Sequence, residues 1–308
     1  MTAAVEARAR AEFDVEIRQQ TSPLNADERQ RALRDFDIVL PTLGDQFDAG
    51  SFAAVPQPRC RLLANFGVGF NHIDVAAARR AGIVVSNTPG AVTDATADIA
   101  LTLMLMTARR AGEGERLVRS GDWQGWHPTQ MLGMHLTGKH VGIVGFGRIG
   151  EAIARRCHFG FGMSVSYLAR SDKSPGFPVS RAESLTALAA QVDVLVLAVP
   201  GGAETRHLIS AEVLAAMRPH ALLINISRGE VVDEAALIAA LQAGALGGAG
   251  LDVYEFEPEV PEALRQMEQV TLLPHLGTAT EEVRSAMGHL ALDNVAAFLA
   301  GRPLISPV

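Results

Sequence analysis

Short apolar runs alternate with helical stretches from residue 139 to about residue 280. The runs at 139–145, 163–168, 192–199, 222–227, 249–253 and 270–274 are short, apolar and rich in Val, Ile and Leu. Strands buried on both faces of a parallel sheet read this way. Between them, 182–190, 211–217 and 234–243 are helical by pattern. Six apolar strands with crossovers predict an α/β fold with a doubly wound parallel sheet. Ligands bind such sheets at the carboxyl ends of the strands.

Residues 1–95 predict a smaller α/β unit, with apolar runs at 37–40, 62–64 and 83–86. A stretch from Thr93 to about Leu117 reads as one long helix. Asp94 stands as its cap, and Ala97, Ala100, Leu101, Met104 and Leu105 form an apolar face. A last helix over 281–300 buries Val283, Met287, Leu290, Val295 and Phe298, and Gly301 stops it. That helix is expected to return the chain to the first unit. The expected domains are 1–95 with 285–308, and 96–284, with the reaction in the cleft between them. Residues 4–13 read as the first helix, so an opening strand is expected to be absent or a stub.

A chain of 308 residues, 48% hydrophobic and 20% charged, is long enough for two cores. The net charge of −7, with no basic block, gives nucleic acid no electrostatic footing. Cys60 and Cys157 stand far apart and suggest neither a disulfide framework nor a zinc site. No metal-ligand spacing is present. The most apolar stretch, 99–108, is too short to span a bilayer. Glu6, Arg8, Arg10 and Glu12 occupy the place of a signal peptide's apolar core. A cytoplasmic protein is expected, without membrane contact.

Within this frame, the strand from Lys139 to Val144 runs into Gly145-Phe146-Gly147-Arg148-Ile149-Gly150 and then a helix. Strand, G-x-G-x-x-G, helix is the order of a dinucleotide-binding turn. Gly145 makes the turn, Gly147 admits a pyrophosphate, and Gly150 lets the helix pack on the strand. The helix N-terminus favours the diphosphate's charge. Three polar residues follow other apolar runs: Arg228 ends LLINISRG, Glu257 follows AGLDVYEFEP, and His275 ends VTLLPH. Parallel strands bring them to one sheet edge. An arginine, a carboxylate and a histidine there are equipped to grip an α-keto acid and protonate its carbonyl. Taken singly, each is more often a cap, a loop residue or a turn residue.

These motifs resemble the D-isomer-specific 2-hydroxyacid dehydrogenases, above all glyoxylate/hydroxypyruvate reductases. The resemblance covers nearly the whole chain. It includes NFGVGFNHID (65–74), GIVVSNTPG (82–90), TAD (96–98), GKHVGIVGFGRIG (138–150), NISRGEVVDE (225–234), AGLDVYEFEP (249–258) and LLPHLGTAT (272–280). It implies two Rossmann-like domains, with the cofactor domain inserted in a flavodoxin-like substrate domain. It also implies that Arg228 binds the substrate's carboxylate and keto oxygen, that His275 donates the proton, and that Glu257 orients His275. A carboxylate beside an imidazole stabilises its charged form. The Gly67-Val68-Gly69 turn would offer backbone N–H groups to the substrate carboxylate. Thr96, Pro200, Ile226, Asp252, His275 and Gly277 fall at cofactor contacts, with Arg148 and Ile149 in the glycine-rich turn. His72, beside the substrate loop, reads as a local hydrogen-bonding residue.

An NAD-specific site places an acid at the end of the second strand. Here Leu168 holds that place, and Arg170, Ser171 and Lys173 follow. That turn suits a 2′-phosphate, so NADPH is expected, with NADH possible. Asp172 is the acid in a shifted alignment. Trp123, Trp126 and Met131 suggest a small pocket near the contact of a homodimer, or interface packing alone. A small pocket favours glyoxylate and hydroxypyruvate over larger 2-keto acids. A formate dehydrogenase would pair the histidine with glutamine rather than Glu257. A dinucleotide-sensing scaffold without turnover is the reading from another class.

Overall fold

The computed structural model describes residues 1–308. The chain divides into two compact units, Met1–Val92 with Thr278–Val308, and Thr93–Gly277. The expected boundaries at 95/96 and 284/285 fall inside helices. A helix is one cooperative segment, so the chain divides just before each of them.

The first unit opens on α1 (Ala3–Glu12) and α2 (Ala26–Asp35). No strand precedes α1 within the chain. Then come β1 (Ile38–Val39), α3 (Ala49–Ala53), β2 (Leu62–Ala64), α4 (Val75–Arg80) and β3 (Val84–Ser86). The three strands form a parallel sheet in the order β1-β2-β3. Asn25 caps α2 reciprocally with Glu28, and Asp48 and Asp74 cap α3 and α4.

The second unit starts with α5 (Thr93–Ala108) and α6 (Ala111–Ser120). The single long helix expected from Thr93 is thus two. Arg110 takes a left-handed backbone, φ 54°, which ends the helical ladder. Its guanidinium then forks onto Glu113 in the first turn of α6, at 2.7 and 2.8 Å. Apolar periodicity runs on across this break and cannot reveal it. Asp94 lies inside α5 and pairs with Arg156 at 2.9 Å, rather than capping the helix.

The remaining elements are β4 (His140–Val144), α7 (Arg148–Phe161), β5 (Ser164–Leu168), β6 (Ser180–Arg181), α8 (Leu185–Gln191), β7 (Val194–Leu197) and α9 (Ala211–Ala216). They continue with β8 (Leu222–Asn225), α10 (Glu234–Gln242), β9 (Gly248–Leu251), α11 (Glu262–Arg265) and β10 (Val270–Leu272). α12 (Glu281–Leu299) belongs to the first unit. The helix expected from residue 182 starts at Leu185, because Ser184 caps it through the Ala187 N–H. β6 is two exposed residues, too short for a hydrophobic pattern.

The seven strands are all parallel, in the order β10-β9-β8-β7-β4-β5-β6. Direction of travel reverses at β4, and the crevice between β4 and β7 is the topological switch point. Alternate strand residues enter opposite cores. Val141, Ile143, Val194 and Val196 pack with α5 and α7, while Leu195, Leu197 and Leu223 pack with α8, α9 and α10. Each buried Val or Leu of this kind stabilises by about 1.5–3 kcal/mol. The rigid sheet holds the loops at its carboxyl edge. No helix is long and apolar enough to cross a membrane.

Candidate active site

β8 ends in Asn225, an almost fully buried polar residue in an apolar strand. Its Oδ1 accepts from the Ser227 N–H (3.0 Å) and Ser227 hydroxyl (2.8 Å), and its Nδ2 donates to the Arg228 carbonyl (3.0 Å). These bonds fold the chain into a short 3-10 turn, Gly229–Val231, with Arg228 extended just before it. Gly229 is forced by close approach: a Cβ there would lie 1.8 Å from the Tyr254 carbonyl carbon. Burial pushes the Arg228 guanidinium down from its usual value, against the charges of Glu257 and Glu230. An arginine starts so high that it keeps its charge.

His275 follows β10 with φ 53°. Asp252, at the end of β9, holds this turn. Its carbonyl accepts from the His275 N–H (2.9 Å), and its carboxylate accepts from Leu276 (2.7 Å) and Gly277 (2.9 Å). Asp252 is 1% exposed, and burial raises its pKa against those N–H groups and the charge of His275. Asp252 reads in the sequence as a cofactor contact. Its carboxylate, accepting one N–H on each oxygen, shapes the turn from beneath.

Glu257 lies in the loop after β9. Its Oε1 accepts from the Tyr254 N–H at 3.0 Å, and its Oε2 accepts from His275 Nδ1 at 2.9 Å. Burial raises the carboxyl's pKa, but the His275 hydrogen bond, the Tyr254 N–H and the Arg228 charge together hold it below the usual carboxylate value. Both side chains of the pair remain about a third exposed, 30% and 33%. Arg228, Glu257 and His275 thus sit on three neighbouring strand ends, as their places after the apolar runs predict.

The nicotinamide dinucleotide expected of such a sheet fits the residues after β4. A Cβ on Gly145 would come 2.6 Å from the Ala198 carbonyl oxygen, and one on Gly150 would come 2.1 Å from that of Gly145. A Cβ on Gly147 would meet nothing within 4 Å. The turn is therefore closed against the sheet and open beside the N-terminus of α7, where Gly147 is the N-cap without a side-chain cap. Arg148 and Ile149 begin that helix. Pro200 and Ile226 follow β7 and β8, and the Thr96 hydroxyl donates to the Gly277 carbonyl at 3.1 Å. Arg170 and Ser171 follow β5, away from the trio. Arg170 is 87% exposed and pairs with Glu204 at 3.0 Å, and Asp172 pairs with Arg181 at 2.8 Å.

In the first unit, the Gly67-Val68-Gly69 turn has its carbonyls drawn inward. Asn65 Nδ2 donates to the carbonyls of Gly67 (3.0 Å) and Gly69 (2.9 Å), and Asn87 Nδ2 donates to that of Val68 (2.9 Å). Buried His72 holds Asn65 through a 2.9 Å bond between its Nε2 and Oδ1. Sequence reasoning passed over Asn65, Asn225 and Asn87; the one available signal was a buried-strand pattern ending in asparagine. Both cysteine thiols are buried and pushed up to about 12, which removes them as nucleophiles.

Comparison with known proteins agrees with this geometry. Residues 101–277 match the sequence profile of the D-isomer specific 2-hydroxyacid dehydrogenase, NAD binding domain. A glyoxylate reductase of Pyrococcus furiosus is 44% identical over 296 residues, covering 94% of this chain and 87% of that protein. A hydroxyphenylpyruvate reductase of Plectranthus scutellarioides is 43% identical over 286 residues, covering 91% and 90%. An NADPH-dependent glyoxylate/hydroxypyruvate reductase from Sinorhizobium meliloti, solved with NADP and malonate, superposes with a TM-score of 0.89. That structure is 38% identical, with 100% of this chain and 94% of the other covered. By profile, identity and fold, the chain belongs to the D-isomer specific 2-hydroxyacid dehydrogenases, enzymes dependent on a nicotinamide dinucleotide.

Proposed function

We propose that this enzyme reduces a small 2-keto acid, glyoxylate or hydroxypyruvate, to glycolate or D-glycerate, with NADPH as the preferred donor. One observation carries the reading: the 2.9 Å bond between His275 and Glu257 at the same strand-end edge as Arg228. A reduced nicotinamide dinucleotide, its diphosphate held at the 145–150 turn, would supply the hydride for the keto carbon. Arg228 pairs with the substrate carboxylate and polarises the keto oxygen through its planar fork. An ionised carboxylate only accepts, so the imidazole donates Nδ1–H to Glu257 and keeps its Nε2 proton for the substrate. That proton passes to the keto oxygen as the carbon–oxygen double bond becomes a carbinol. His275 is left neutral, and water restores its proton.

The Gly67-Val68-Gly69 turn belongs to the same proposal. With its carbonyls held inward, the N–H groups of Val68 and Gly69 serve the substrate carboxylate, while that of Gly67 donates to the Asn65 carbonyl at 3.1 Å. For the cofactor, the proposal assigns contacts to Thr96, Gly145, Gly147, Arg148, Ile149, Gly150, Pro200, Ile226, Asp252, His275 and Gly277. Arg170 and Ser171 take the 2′-phosphate. The support is the lack of an acid at Leu168 and a guanidinium 87% exposed at that turn. The NADP-bound reductase from Sinorhizobium meliloti is consistent with it. A homodimer completes the reading, supported by Trp123 (51% exposed), Trp126 (79%) and Leu132 (67%) on one segment.

The related hydroxyphenylpyruvate reductase favours a second reading, a larger aryl substrate. Oxidation of NADPH and NADH with a panel of 2-keto acids separates the two. Highest kcat/KM for glyoxylate or hydroxypyruvate with NADPH is expected. A preference for aryl pyruvates would overturn the substrate assignment, and cofactor binding without turnover would overturn the reaction.

A further inference from the structure

We infer that His207 is a positioning residue for the reaction, tying the turn that carries Arg228 to the loop that carries Glu257. The inference rests on the roles proposed for those two residues. His207 lies after β7 with a left-handed backbone, φ 48°. Its N–H donates to the Glu230 carbonyl at 2.8 Å, two residues beyond Arg228. Its ring Nε2 bonds Glu255 Oε1 at 2.7 Å, two residues before Glu257. One residue therefore holds both loops, one through its main chain and one through its side chain.

The surrounding contacts make this tie rigid. The Glu255 side chain is only 7% exposed and accepts a second bond from Arg206 at 3.0 Å. Its N–H donates to the carboxylate of buried Glu234 at 3.3 Å. The Gly202 N–H donates to Glu230 Oε1 at 2.9 Å, which fastens the 200–207 loop to the arginine's turn a second time. A Cβ on Gly201 would stand 2.6 Å from Arg228 Cγ, so this loop also backs the arginine's stem. A buried carboxylate costs free energy unless it is paired. Removing the His207 ring leaves the Glu255 carboxylate only Arg206, whose side chain is 53% exposed. The Glu255 segment then shifts toward water and carries Glu257 with it. Near a reacting centre, displacements well below a bond length matter.

The test uses the intact enzyme with NADPH and glyoxylate. His207→Leu should lower kcat/KM about ten- to a hundredfold, through a raised KM for the keto acid and a lowered kcat. NADPH affinity, read by cofactor fluorescence, should stay near wild type, because the His207 ring bonds Glu255 and not the 145–150 turn, and the Pro200 end of the loop is held separately by the Thr205 hydroxyl at 2.8 Å. His207→Gln places an amide N–H near the position of Nε2 and should recover most of the loss. Glu255→Gln keeps the shape and removes the charge, so it should show the same KM and kcat pattern more weakly. It also serves as the readout should His207→Leu not fold. Wild-type KM and kcat in His207→Leu would overturn the inference, as would His207→Gln no better than His207→Leu. A parallel loss of NADPH affinity would mean general loosening and would overturn it too. A wild-type enzyme inert toward every 2-keto acid would remove the functional reading as well.

Discussion

Two glutamates of the loop after β9, Glu255 and Glu257, each hold a histidine whose backbone is left-handed. Glu257 holds His275 at 2.9 Å with both side chains about a third exposed. Glu255 holds His207 at 2.7 Å, with its own side chain almost wholly buried and Arg206 as second partner. The chemistry is the same, and the surroundings set the roles apart. A pair with one face open, beside Arg228, has somewhere to send a proton. The Glu255 carboxylate is enclosed and doubly bound; His207 is 38% exposed but has no place in the proposed substrate contacts, so its effect on the reaction runs through position.

The largest effect expected from breaking this contrast is at His275. His275→Ala should lower kcat by about 10²–10⁴-fold, the usual contribution of a general acid. NADPH oxidation at saturating glyoxylate measures it, and a fully active variant would sink the mechanism. Arg228→Ala comes next, with KM raised and kcat lowered together, about 10- to 100-fold in kcat/KM, the size of a lost charged hydrogen bond. A change in KM alone would mean that Arg228 binds the ground state and transition state equally. Smallest is Arg170→Ala, which should raise KM for NADPH roughly two- to fivefold, as fits an exposed charge. KM for NADH should not move. An unchanged NADPH/NADH ratio would count against the 2′-phosphate assignment.

Much of this was legible in the sequence, for physical reasons that differ from residue to residue. The parallel sheet declared itself because strands buried on both faces must be apolar throughout, as Val141, Leu195 and Leu223 are. The trio was readable because a parallel sheet sends every strand end to one edge. The break at Arg110 was not, since a left-handed arginine leaves no trace in apolar periodicity. The resemblance placed Asp252 among the cofactor contacts, and only the two N–H groups on its carboxylate show that it also holds the turn of His275. The tie between His207 and Glu255 spans 48 residues and belongs to no motif, so only coordinates reveal it.

The central claim is that the Glu257 carboxylate holds His275 in place to pass a proton to the keto acid. The ionised carboxylate is the form that accepts from Nδ1–H, so kcat/KM falls on the acid side as Glu257 gains a proton. Glu257, held below the usual carboxylate value, stays ionised through the working range and is lost only as the pH falls through that lowered value. The most direct measurement is the pH profile of kcat/KM for glyoxylate reduction in the wild type and in Glu257→Gln. A neutral amide has no carboxyl to protonate, so the variant should be slower throughout and should lack the acid limb that the wild type shows below the usual carboxylate range. A variant as fast as the wild type, or one that keeps the same acid limb, would contradict the account.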